Sequence, residues 1–173
     1  MRRARPLWCV LPGAILWACA APAAAQELAD VTRPCKQVDL IGAWEVIRLG
    51  LAPGARVDRS APAFYPHQEY VFYRNATVRH VASQTRITDA DHRALLGTAP
   101  EGTWAVDGEG RLLLQRAGEA TLERSVCLVL VKEVVDPKRH LRSLPGDILL
   151  TDSDGADKPR FRRQLRKLSG PDE

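Results

Sequence analysis

His67, Glu69 and His80 are the residues whose types and spacing come nearest to a catalytic or metal-holding set. They fall on two apolar-alternating segments, "HQEYVFYR" and "TVRHVAS", that read as a hairpin around Asn75-Ala76. With a two-residue turn there, Val71 faces His80, Glu69 faces Ala82, and all three polar residues project to one side. Two imidazoles and a carboxylate are zinc ligands. Their separations along the hairpin are too wide for one ion without bending, so a polar strand face in solvent is the preferred reading. His92 and His140 add no ligand spacing. Asp152, Asp154 and Asp157 in "TDSDGADK" invite a calcium reading, but the Gly is misplaced for an EF-hand loop and no Glu closes it. A hairpin turn accounts for these residues. The chain has no G-x-S-x-G elbow, phosphate loop or dinucleotide fingerprint. No catalytic residue, metal or cofactor is expected.

Residues 1–25 read as a secretory signal. Arg2, Arg3 and Arg5 precede an apolar run, and Ala23-Ala24-Ala25 gives a small-residue exit before Gln26. An alternative exit exists: Leu16-Trp17-Ala18-Cys19 is similar to a lipobox and would leave Cys19 lipidated, although Trp17 fits it poorly. The expected location is periplasmic or secreted, with no membrane span. The whole chain has 25 basic and 21 acidic residues; removing residues 1–25, which hold three Arg and no acid, leaves 22 and 21. The near-neutral remainder argues against nucleic acid as a partner. Cys35 and Cys127 are then the remaining cysteines, 92 positions apart. An oxidising compartment pairs them, and a link across that span contributes about 4 kcal/mol by chain entropy.

The elements that must position any site read as all-β. Residues 26–38 form a flexible lead-in, 39–168 the folded domain and 169–173 a tail. The first strand spans 39–49. The segment 50–66, with Pro53, Pro62 and Pro66, is a long loop. After the first hairpin, "TDADHRALLG" has Thr88 as N-cap, Asp91 three residues later and Gly97 as a stop, which predicts a short helix. "EGTWAVD" and "RLLLQR" make a hairpin around Gly108-Glu109-Gly110, with Trp104 and Val106 facing Leu112 and Leu114. "TLERSVCLVLVKEVV" is one long strand, and "GDILLTD" with "PRFRRQLRKL" closes the chain. Eight hairpin-linked strands predict an antiparallel up-and-down barrel with one short helix between its third and fourth strands.

Gly42-Ala43-Trp44 on the first strand, the strand count and the basic last strand together resemble the lipocalin-like (calycin) group. That resemblance implies that Trp44 plugs one barrel end behind Gly42. It also implies that an arginine of the last strand, Arg163 or Arg166, packs over the indole. A helix between the third and fourth strands departs from the lipocalin layout, where the helix follows the last strand. The implied function is non-enzymatic binding of a small apolar or amphipathic ligand, with Tyr70, Phe72, Trp104 and Leu112 lining the pocket. The alternative is a periplasmic protein-interaction module, such as an envelope-assembly subunit or protease inhibitor. It would meet its partner through the Pro-rich loop, with Phe64 and Tyr65 foremost, and the basic last strand.

Overall fold

Alternating apolar and polar side chains along eight segments wind into a closed antiparallel barrel. A computed structural model describes residues 28–137, 141–153 and 158–168. The barrel strands are β2 (Gly42–Leu51), β3 (His67–Phe72), β4 (Thr77–Ser83), β5 (Gly102–Val106), β6 (Arg111–Arg116), β7 (Leu122–Leu130), β10 (Ile148–Ser153) and β11 (Pro159–Lys167). Each pairs with its sequence neighbour in the barrel, and β11 returns to β2. The short helix α2 (Asp89–Gly97) lies between β4 and β5 as expected, with Thr88 and Asp91 forming a reciprocal cap. Such a cap contributes about 1 kcal/mol.

The lower bore is the apolar core. Trp44, Phe72, Trp104, Leu112, Cys127, Ile148 and Leu165 meet there. A four-residue helix, α1 (Gln37–Leu40), closes this end, and Trp44 Nε1 donates to the Leu40 carbonyl at 2.7 Å. Residues 39 and 40 are therefore helical rather than the start of the first strand. The lead-in is ordered further back as well. β1 (Thr32–Pro34) lies along the Leu128–Leu130 end of β7, continuing the track that β6 occupies on Leu122–Val126. The Cys35–Cys127 disulfide, with Cα atoms 5.4 Å apart, sits where one track hands over to the other. Gly110 makes the handover possible: at φ +77° it approaches so closely that a Cβ would lie 2.5 Å from Pro34 Cβ.

The expected arginine over Trp44 is not what the last strand supplies. Phe161, Arg163 and Leu165 are the β11 side chains that face the bore, but the Arg163 guanidinium is 4.4 Å above the Phe161 ring and paired to Asp152. Arg166 faces outward and binds Asp147. Lys167 is the register partner of Trp44. Two element boundaries also differ from expectation. The single long strand 121–135 ends at Leu130, and β8 (Val134–Asp136) turns away to pair with β9 (Leu141–Ser143) as a separate ribbon. An apolar run cannot show where a chain leaves one sheet for another. Finally, β2 carries a bulge: Val46 pairs with Leu165 but Arg48 with Gln164, which leaves Ile47 unopposed. Beyond it Leu49 stands opposite bore-facing Arg163.

The first hairpin corrects the register assumed for His67, Glu69 and His80. Ala76 adopts φ +63° and the amide of Tyr73 donates to Thr77 O, so the loop has three residues, not two. Asn75 accepts from the Thr77 amide and hydroxyl, which fixes the loop. His80 consequently opposes Tyr70 and Glu69 opposes Val81. A one-residue slip moves a side chain to the other face. His80 enters the bore, while His67 and Glu69 face outward.

Candidate functional site

Outward-facing side chains of β2 and β3 form the floor of a cleft of about 500 Å3, roofed by α2. Pairing of Ala43 with Val71 makes the floor apolar, and Ile41 and Val38 extend it toward α1. Leu96 and Ile87 supply the roof. The helix is held in place by two long-range bonds. His92 Nδ1 lies 2.7 Å from Glu69 Oε2, and Arg79 Nε donates to the Thr98 carbonyl at 2.7 Å. Because a carboxylate only accepts, Nδ1 is the donor in the Glu69–His92 bond. At the opposite end lie Arg74, from the hairpin loop, and Lys167, from the end of β11.

The upper bore has a different character. Trp104, Phe72, Tyr70 and His80 form an aromatic ladder, with ring centroids 5.1, 5.8 and 4.3 Å apart in succession. Above it the side chains become charged. Arg163 pairs with Asp152 at 2.7 Å, Ser125 bonds the same carboxylate, and Arg116 joins Glu101 and Glu123. Burial, helped by the positive charges of Arg163 and Arg116, lowers the His80 imidazole to about 3. Glu101 lies 3.5 Å from its Nδ1, but that carboxylate is already engaged by Arg116. Burial raises the Asp152 carboxyl against the pull of Arg163, and burial likewise raises the Tyr70 phenol.

The Pro-rich segment closes this mouth. Its 3-10 turn, Pro62–Phe64, presents the Ala63 carbonyl to Gln68 Nε2 at 3.0 Å and to Arg163 at 3.3 Å. Gln68 also donates to the Tyr65 carbonyl at 2.8 Å. Phe64 packs edge-on against Phe161 at 4.9 Å. Phe64 and Tyr65, the residues expected to meet a protein partner, are half-buried and committed to the mouth.

Tyr70, Phe72, Trp104 and Leu112, the expected pocket residues, are brought together but inside the packed core, between 1% and 6% exposed. Gly42 and Trp44 flank the base of the outer cleft and the bore respectively. Arg163 belongs to the mouth, and Arg166 to the outer face. Among the described residues no group of three or more metal-ligating side chains converges. Asp154 and Asp157 of the calcium-like stretch, His140, Cys19 and the rest of residues 1–25, expected to form a signal, lie outside the described residues. Sequence reasoning missed His92, Arg74 and Lys167 as neighbours of one cleft, since nothing local links positions 69, 92 and 167. The capping signal at Thr88 did mark the helix that carries His92.

No helix among the described residues is long and apolar enough to cross a membrane. Comparison of the chain with protein-family models, curated proteins and solved structures finds no match in any of the three.

Proposed function

We propose that this chain is an exported, non-enzymatic binding barrel of lipocalin-like architecture, and that its ligand is a small amphipathic molecule held in the outer cleft between α2 and β2–β3. The observation that carries this reading is the cleft itself. Its volume of about 500 Å3 lies in the range of small-molecule sites, and it joins an apolar floor to a few polar groups. The bore is the less suitable place, because the side chains expected to line a pocket there pack against one another. In this reading Tyr70, Phe72, Trp104 and Leu112 hold the barrel's shape, and Trp44 seals its base. Export is supported by the signal-like residues 1–25 and by the Cys35–Cys127 bridge.

The test is to fill the cleft. Ala43→Trp places an indole on the floor, and Leu96→Trp fills it from the roof. The fluorescent amphiphile 1-anilinonaphthalene-8-sulfonate should bind the wild-type chain saturably, and either variant should weaken it at least tenfold with the far-ultraviolet dichroism unchanged. Undiminished binding in both folded variants would place the ligand elsewhere.

A further inference from the structure

The cleft is polarised along its length, and its two ends differ in sign. Glu69, bonded to His92, stands at the α2 end together with Asp89. Four residues on from Glu69, just past the end of β3 and roughly 13 Å away at strand rise, Tyr73 and the loop residue Arg74 mark the other end, where Lys167 joins them. Lys167 is placed there by Gly42. At φ +123° this residue occupies backbone space that other side chains rarely adopt, and a Cβ on it would lie 2.9 Å from Lys167 Cε and 3.5 Å from Nζ. The lysine stem thus lies directly across position 42, and its ammonium is carried over the cleft base. Arg74 arrives independently, from the hairpin loop whose register Asn75 and Ala76 fix. At the same end the Tyr73 hydroxyl is buried without a hydrogen-bond partner among the described residues. A buried, unsatisfied hydroxyl is uncommon in a folded chain.

We infer that the cleft selects amphiphiles with an anionic head, seated between Lys167 and Arg74, whose apolar body runs along Ala43 and Val71 toward Leu96. This inference rests on the binding role proposed for the cleft and adds the charge of its ligand. Two cations lining one cleft with an apolar floor favour a carboxylate or similar singly charged head over a neutral one of equal length. The acidic groups at the far end disfavour the reverse orientation.

Three probes with one alkyl chain decide the matter: dodecanoate, dodecanol and dodecyltrimethylammonium, each titrated below micelle formation into the full isotope-labelled chain. The readout is the amide shifts of Ala43, Val71 and Leu96. Dodecanoate should bind about tenfold more tightly than dodecanol. That preference should shrink as salt is raised. The double variant Lys167→Met with Arg74→Met should remove the preference while leaving dodecanol affinity unchanged, and Lys167→Arg should retain it. The single variant Lys167→Gln, expected to lose part of the preference, serves if the double variant's spectrum is not native. Equal binding of dodecanoate and dodecanol to the wild type overturns the headgroup assignment and leaves the cleft reading standing. So does tightest binding of the ammonium probe. Amides that none of the three probes moves overturn both.

Discussion

His80 shows how one loop residue decides the chemistry of a side chain. Had the hairpin loop been two residues long, this imidazole would stand on the solvent face beside Glu69. With Ala76 in the left-handed region it stacks on Tyr70 inside the bore, among Gln68, Glu101, Arg116 and Glu123, with Arg163 near enough to lower it. A pKa near 3 in the folded chain, against 6.5 when unfolded, has a defined consequence. Between those values the unfolded chain binds a proton that the folded chain refuses, so His80 makes stability fall as pH drops from about 6.5 toward 3. Burial of Asp152 acts in the opposite sense, since a raised carboxyl pKa gains protons on folding. Nuclear magnetic resonance should show the His80 ring neutral down to at least pH 4. His80→Phe should flatten the acid limb of the stability profile measured by urea unfolding. An imidazole that titrates near 6.5 would contradict the bore-facing register.

At the level of elements, much was legible. The Thr88 cap, the turn around Gly108-Glu109-Gly110 between β5 and β6, and the facing of Trp104 and Val106 with Leu114 and Leu112 were all read from local signals. Such signals are strong because cap and turn chemistry involves residues only two to four positions apart. The cysteine pair was legible for a different reason, since two cysteines remain beyond residue 25 and the expected oxidising compartment pairs them. What stayed hidden is non-local. The loop length at 74–76 turned on a residue, Ala76, with no special propensity for positive φ. The ribbon β8–β9 lay inside an apolar run that reads as one strand. The cleft joins residues from β2, β3, α2 and the end of β11, so no window of sequence contains it. The lead-in strand β1 is non-local in the same way, lying on Leu128–Leu130 beside the Cys35–Cys127 bridge. Replacing Cys35 and Cys127 by Ala should lower unfolding free energy by up to about 4 kcal/mol. It should also speed hydrogen exchange at the Val131 amide, which donates to Val31 across that edge. Unchanged exchange there would show that β1 holds without its bridge.

Across the whole molecule, the barrel is fastened unevenly. The β3–β4 hairpin pairs with β2 through four register positions and with β5 through two, all near the Trp44 end. Toward the mouth its attachments are side chains: Gln68 to the Pro-rich segment, His80 near Glu101, and Glu69 to α2. Stability is distributed accordingly, with the mouth the weaker end. Gln68→Ala removes the two hydrogen bonds that this side chain gives to residues 63 and 65, at about 1 kcal/mol each, and leaves Arg163 on the Ala63 carbonyl. Limited trypsin digestion at Arg56 and Arg59, which lie in that segment, should accelerate about tenfold with little change in the urea midpoint. An equal shift of both would mean that the segment opens only when the whole barrel does.

The unopposed Ile47 in β2 has a consequence for how this strand tolerates change. Below it, even-numbered positions such as Trp44 and Val46 face the bore, and above it the odd-numbered Leu49 and Leu51 take over. Substitutions on either side are judged one at a time, by the space around each. Loss of a single codon at this point is another matter. With the upper half held in place, loss of Ile47 only removes the bulge: Val46 then follows Arg48 directly in the ladder, Trp44 stays on the bore side and Glu45 outside. The bulge residue is thus a spare one: losing it keeps every pairing of β2 with β11 and straightens the strand.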